Sequence, residues 1–423
     1  VTLPATNDSR PERQLLTMPT LAEFEDAAAL LHGVVSHTPL EESQHLSDVL
    51  GVPVYLKLEN LQRTGSFKIR GATYRLSRLT AEERARGVVA ASAGNHAQGV
   101  ALAAQKLGIP ATIFMPLGVP VPKLLATRGY GAEVVLEGAT VETPLRLAAE
   151  FAERTGAVLI HPFDHRDVVI GQGTLGLELI DDLPEVDTIL VGIGGGGLAA
   201  GVAAATRARA AAVGRTVHII GVQAENSAAY PQSMVAGHPL EVATRPTIAD
   251  GIAVARPGDI PFGIIHELVD EVVTVTEDDI ARALLVLLER AKVVVEPAGA
   301  VGVAAILAGK IRASGPTISI LSGGNIDPLL LQRIVAHGLA ASGRYMSLAI
   351  PLPDRPGQLA RVSELLAQAG ANVIEVLHTR HGQGLQISEV ILQLSVETRG
   401  EDHRAHVIQT LIDAGFAPTV VAD

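Results

Sequence analysis

The feature that most narrows the possible folds is an alternation. From Val54 onward, short runs of Val, Ile and Leu alternate with Ala-rich stretches of helical spacing. The runs fall at 87–91, 111–115, 133–136, 188–193, 218–223, 271–274 and 317–321. Most are too apolar for strands with one wet face and fit strands buried on both faces of a largely parallel sheet. Alternation sustained over about 300 residues predicts an open α/β architecture in two lobes. At 423 residues the chain exceeds the size at which one core stops growing, so two or three domains are expected.

The pattern changes near Arg344. A strand at 345–352, a helix at 357–369, strands at 372–379 and 385–396, a helix at 402–414 and a strand at 418–421 give a βαββαβ order. That order is a small ferredoxin-like unit. Gly338 and Gly343 suggest a linker at 337–345. The expected division is an arm at 1–18, a two-lobed domain at 19–336, the linker, and the small unit at 346–423. The arm mixes charges with prolines and has no apolar core of signal-peptide length. Thr20 and Glu23 form a capping-box pattern ahead of Phe24, Ala27, Leu30 and Leu31.

Composition removes whole classes of chemistry. Without cysteine there is no disulfide, thiolate nucleophile or thiolate-held zinc, which suits a reducing interior. A net charge of −12 argues against broad nucleic-acid or acidic-membrane binding, and no stretch reads as a membrane span. The expectation is a cytoplasmic globular protein without nucleic-acid or membrane partners. His161 and His165 lack a clear third metal ligand, and no G-x-S-x-G elbow is present to start a hydrolase triad.

Four segments could carry chemistry. In Ser66-Phe67-Lys68-Ile69-Arg70-Gly71-Ala72, a lysine sits between two apolar residues at a helix entry. It reads either as a snorkelling surface lysine or as an amine kept partly neutral by burial, able to form an imine with an aldehyde. Ser92-Ala93-Gly94-Asn95-His96 follows the run at 87–91; Ser92 can cap the next helix, whose free N–H groups suit a carboxylate. The plain alternative is an ordinary strand–helix turn. Gly194-Gly195-Gly196-Gly197-Leu198 lets successive backbone N–H groups converge on a phosphate. It also lies within a G-x-G-x-x-G pattern, with Glu225 as a possible ribose-binding acid, although Glu225 stands farther along than the usual spacing of about 20 residues. Ser322, in Leu321-Ser322-Gly323-Gly324-Asn325, could bond a ligand at the mouth of the sheet or serve only as a turn. Glu296-Pro297-Ala298-Gly299-Ala300 reads first as a helix start.

Taken in order, these segments resemble the fold-type-II, tryptophan synthase β-like enzymes that use pyridoxal 5'-phosphate (PLP), and among them the threonine dehydratase (threonine ammonia-lyase) branch. The resemblance runs from Thr38-Pro39-Leu40 to Ser322-Gly323-Gly324-Asn325 and includes Lys57-Leu58-Glu59-Asn60, Ala249-Asp250-Gly251 and Glu296-Pro297-Ala298-Gly299. It implies that Lys68 holds the cofactor as an imine with Phe67 packed against its ring. It further implies that Gly194 to Gly197 and Leu198 bind its phosphate, that Asn95 meets its ring hydroxyl, and that Ser322 meets its ring nitrogen. Ser92, Ala93, Gly94, Asn95 and His96 are implied in gripping the substrate carboxylate. The implied reaction is conversion of L-threonine, or of serine, to a 2-oxo acid and ammonia. Related serine racemases carry a serine where Ala93 stands, so dehydration is favoured over racemisation. Gln223 replaces the first acid of a divalent-ion site known in relatives, so no metal is expected. The C-terminal unit resembles an ACT domain, matched at Asp354-Arg355-Pro356-Gly357-Gln358-Leu359. That resemblance implies an amino-acid effector, isoleucine first with valine opposing, and a homo-oligomer, either a dimer or a tetramer.

Overall fold

The computed structural model describes residues 17–421 apart from 141, 342 and 381–387, so most of the expected arm lies outside the described residues. The chain divides into two compact units, the first running to Asp327 and the second starting at Pro328.

The first unit contains two sheets. One is built from β1 (Leu40–Glu42), β2 (Val54–Lys57), β7 (Thr188–Gly192), β8 (His218–Ala224), β9 (Glu271–Val275) and β10 (Thr317–Ile320), in the order β1-β2-β10-β7-β8-β9. Only the β1–β2 pair is antiparallel. The other is built from β3 (Val88–Ala91), β4 (Ala111–Met115), β5 (Glu133–Leu136) and β6 (Val158–Leu159), all parallel, in the order β5-β4-β3-β6. Most of the apolar runs become the expected buried parallel strands, with β3, β10 and most of β4, β7 and β8 buried, whereas the edge strands β5 and β9 are largely half-buried. Strand β6 is only two residues long, too short to leave an apolar run in the sequence.

The helices used below are α1 (Leu21–Leu31), α2 (Lys68–Ser77), α3 (Asn95–Leu107), α4 (Val121–Gly129), α5 (Arg166–Asp182) and α6 (Gly197–Ala212). Helix α1 opens with the expected capping box between Thr20 and Glu23 and buries Phe24, Ala27 and Leu31. Helices α2 and α5 touch backbone to backbone: a Cβ on Gly171 would lie 2.7 Å from the Gly71 Cα. Helix α2 is also held by charge. The Arg70 guanidinium, fully buried, donates to both oxygens of Glu59 at 2.8 Å and to Glu178 at 2.7 Å. Lys57, equally buried, lies 3.0 Å from Glu178 and bonds Asp182 and the Thr38 carbonyl at 2.8 Å. Burial alone would raise the Glu59 carboxyl; the Arg70 charge and hydrogen bonds outweigh it and hold it below the usual range.

In the second unit, α7 (Pro328–Ala341) precedes β11 (Tyr345–Pro353), α8 (Gln358–Gln368), β12 (Asn372–Thr379), β13 (Glu389–Glu397), α9 (Glu401–Asp413) and β14 (Thr419–Val421). The antiparallel sheet β12-β13-β11-β14 buries Met346, Leu348, Ile350 and Leu352 with Val362, Leu366, Val407 and Leu411. The ferredoxin-like order appears as expected, although 385–387 of the predicted third strand lie outside the described residues. The expected linker at 337–345 needs correction: 337–341 complete α7, and the units part after Asp327. Gly338 costs a helix about 1 kcal/mol, which its Leu-, Ile- and Ala-rich neighbours offset. Among the described residues no helix is long and apolar enough to cross a membrane.

Removing one member of a buried ion network strands the others, at about 3–5 kcal/mol. Arg70→Leu is accordingly expected to lower unfolding stability in urea by that amount; a loss under about 1 kcal/mol would contradict the role given to Arg70.

Candidate active site

Helix α2 begins at Lys68, and the turn before it is strained: Thr64 has φ 66°, a region β-branched residues avoid. The segment after β10 holds that turn in place. Asn325 donates to the Thr64 carbonyl at 2.6 Å, Gly324 N donates to the Gly65 carbonyl at 2.9 Å, and Ser66 bridges Gly323. Phe67 N donates to the Ser322 carbonyl at 3.1 Å. Lys68, Phe67 and Ser322 are thus brought together across more than half the chain. The hydroxyls of Thr64 and Ser66 are buried without a hydrogen-bond partner, leaving polar atoms unsatisfied beside Lys68.

The Lys68 ammonium donates to the Pro162 carbonyl at 2.9 Å and stands 5.1 Å from the Phe67 ring centre. Burial lowers its pKa to about 8, against a smaller upward pull from Glu296. Roughly one amine in ten is then neutral at pH 7, against fewer than one in a thousand for a free lysine. An amine so buried is not a snorkelling surface lysine. Glu296 is its electrostatic counterpart: burial raises it to about 7, with Asp250 adding to the effect. Its Oε1 accepts from Asn95 Nδ2 at 2.6 Å. Asn325 Nδ2 also donates to Asn95 Oδ1 at 2.8 Å, so one Asn95 N–H remains for a ligand.

The tetraglycine joins β7 to α6. Gly196 has φ 104°, and a Cβ there would lie 2.0 Å from the Tyr230 hydroxyl, so this position admits only glycine. Cβ atoms on Gly195 and Gly197 would run into Phe163, and one on Gly194 would press on Ile252. The loop is a cradle that side chains would fill. Tyr230 donates to the Gly195 carbonyl at 3.2 Å, while its own N–H donates to Gln223 Oε1 at 2.9 Å. The Gln223 amide is therefore engaged in holding the loop, its Nε2 donating to the Ile193 carbonyl at 3.1 Å. Among the described residues no group of His, Asp and Glu is placed to hold a metal. Leu198 is buried in the first unit's main core, and Glu225 lies at the surface, 3.6 Å from Arg245.

Two expectations at 92–96 change in detail. Gly94, not Ser92, is the N-cap of α3; the Ser92 hydroxyl accepts from Gly94 N at 3.1 Å and shapes the turn one residue earlier. The His96 ring donates to the Ile160 carbonyl at 2.8 Å, so it ties α3 to the β6 segment instead of offering a donor to the cleft. Ala93 sits half-buried on the turn. Pro162 and Phe163, which link Lys68 to the tetraglycine, carry no signal in the sequence; Glu296 is the expected helix start, the N-cap of the turn Pro297–Gly299, and also faces Asn95. A cleft of about 500 Å³ lined by Leu31, His37, Arg70, Leu177 and Arg209 includes none of the predicted site residues.

Residues 32–323 match the family described as pyridoxal-phosphate dependent enzyme, and 347–416 match the ACT domain. The chain is 47% identical to the L-threonine ammonia-lyase of Thermotoga maritima, over 96% of this chain and 100% of that protein. Among solved structures, it is similar to the processed form of threonine deaminase isoform 2 from Solanum lycopersicum, with TM-score 0.70 and 37% identity over 75% of this chain and 93% of that one. It is also similar to serine racemase from Dictyostelium discoideum, with TM-score 0.68 and 33% identity over 74% of this chain and 100% of that one.

Burial, and next the Lys68 charge, lowers the His96 pKa to about 3, so the native ring is neutral. An unfolded histidine takes a proton near pH 6.5. The contribution of His96 to stability is therefore full above that pH and is lost as pH falls toward 3. Between pH 7 and 5 the wild type is expected to lose about 2 kcal/mol more than His96→Gln in urea unfolding. Equal losses would contradict the assignment.

Proposed function

The chain belongs to the family of pyridoxal-phosphate dependent enzymes and carries a C-terminal ACT domain, and from that premise we propose that it converts L-threonine to 2-oxobutanoate and ammonia. The observation that carries the reading is the Lys68 amine, desolvated to a pKa of about 8 between Phe67 and the Pro162 carbonyl.

The residues around it fit PLP. The glycine cradle at the start of α6 offers the N–H groups of Gly194 to Gly197 and Leu198 to a phosphate. The free N–H of Asn95 suits a ring hydroxyl, and the Ser322 hydroxyl suits a ring nitrogen. When bound, PLP supplies an aldehyde for the substrate amine and a ring that spreads the charge left when Cα loses its proton. Lys68, whose amine is partly neutral near pH 8, takes up that proton as general base. Ser322 brings a hydroxyl instead of a carboxylate to the ring nitrogen, so it offers a hydrogen bond without a fixed charge. The helix start at Ser92–His96 offers backbone N–H groups to a carboxylate. Ala93 has no titratable group, which leaves Lys68 as the base and favours departure of the β-hydroxyl over return of a proton to the opposite face. Racemisation, the activity named for the Dictyostelium relative, fits Ala93 less well.

The role in isoleucine synthesis, with isoleucine as inhibitory effector and valine opposing it, is part of the same proposal. It is supported by the presence of an ACT domain in the same chain, as is assembly into a dimer or tetramer. The test is the initial rate of 2-oxo acid release from L-threonine and L-serine with PLP, with and without isoleucine. Release favouring threonine, lost in Lys68→Ala and reduced by isoleucine, is expected. Full turnover in Lys68→Ala would overturn the mechanism, and indifference to isoleucine would overturn the effector assignment.

A further inference from the structure

Lys123 belongs to no segment singled out in the sequence. It lies in the first turn of α4, after β4, and its side chain is only 11% exposed. The ammonium stands 3.5 Å from an Asp250 carboxylate oxygen, and among the described residues it donates no hydrogen bond. A Cβ built on Gly94 would come within 3.6 Å of it, so the charge sits directly over the turn that starts α3. It also acts on Glu296, drawing that carboxyl downward. Gly94 and Asp250 thus bracket the ammonium, with Glu296 within reach of its charge.

A nearly buried ammonium has three donors to satisfy, and the chain satisfies those of the buried Lys57. Lys57 is saturated by Glu178, Asp182 and the Thr38 carbonyl. Lys123 has one ionic partner, and that partner is itself 63% exposed. Desolvating a cation without filling its donors is unfavourable. The arrangement makes sense where an anion comes to fill them.

We propose that Lys123 is the positioning cation for the α-carboxylate of the substrate amino acid, with Asp250 as the counter-ion that this carboxylate displaces. The proposal rests on the amino-acid reading of the site. Backbone N–H groups at the start of α3 give the carboxylate direction; Lys123 gives it a full charge at short range. Asp250 comes from a different part of the chain, opening the turn Asp250–Ile252, and Gly251 packs on Ala298. Its competition with the substrate sets a sign. Removing the Lys123 charge weakens carboxylate binding, whereas removing the Asp250 charge strengthens it. A bridge that merely held the lobes together would weaken binding in both cases.

The test uses full-length holoprotein of the wild type, Lys123→Gln, Lys123→Arg and Asp250→Asn. Binding of L-2-aminobutanoate, which has no β-leaving group, and of 1-aminopropane, which lacks the carboxylate, is read from the absorbance of the bound cofactor. KM and kcat for L-threonine are measured in parallel, and urea unfolding confirms that each variant is folded. Lys123→Gln is expected to raise Kd for 2-aminobutanoate and KM for threonine roughly ten- to hundredfold, the range for one hydrogen bond to a charged group. It is expected to leave aminopropane binding and kcat within about threefold, with Lys123→Arg recovering most of the loss. Asp250→Asn is expected to lower Kd for 2-aminobutanoate. Equal weakening toward amino acid and amine, or a rise in Kd with Asp250→Asn, would overturn the proposal. If threonine is not turned over yet the 2-aminobutanoate differences hold, the reaction assignment fails and the carboxylate site stands.

Discussion

The position of the Lys68 amine depends on a charge buried two residues away from it. Arg70 lies in the first turn of the helix that Lys68 begins, and its guanidinium is clamped by Glu59 and Glu178. Such a network contributes little net stability compared with an apolar replacement, because desolvation offsets attraction. What it does contribute is geometry. An ion pair made from both oxygens of one carboxylate tolerates little displacement, so the helix start, and with it Lys68, is set against the turn after β2 that carries Glu59. The backbone contact between Gly71 and Gly171 fixes the same helix from the other side.

With the amine placed, its chemistry follows from the environment. Lys68 has lost solvent without gaining a close carboxylate, and so titrates near 8. Glu296, buried and facing Asp250, titrates near 7. Burial moves both groups toward neutrality, and each lies within reach of the other's charge, as is common where proton transfer is done. The strained Thr64 turn, the glycine cradle and the Asn325–Asn95–Glu296 hydrogen bonds lie around these two groups, and elements far apart in the chain supply them.

That distance explains what the sequence reveals and what it hides. The buried parallel strands are legible because two wet-free faces leave an apolar run, and the helix starting at Thr20 because its cap is local. Lys68, the tetraglycine and Ser322 are legible because each sits in a short segment whose composition is odd for a plain turn. Glu296 is the helix start its segment suggests, but only the fold puts it against Asn95, 201 residues earlier. Phe163, which closes the cradle, and Lys123, which overlooks Gly94, have no local signature at all. Composition misleads at 337–345, where glycine signals a linker but the apolar neighbours of Gly338 extend a helix. It misleads again at His96, whose polar ring serves the packing of β6.

The central claim is that Lys68 is the residue that bonds the cofactor. Borohydride reduction of the holoprotein, followed by digestion and mass spectrometry, reads it directly. The account predicts a phosphopyridoxyl group on the peptide containing Lys68, at Lys68 alone. Modification at Lys57, Lys123 or another lysine with Lys68 untouched would contradict it.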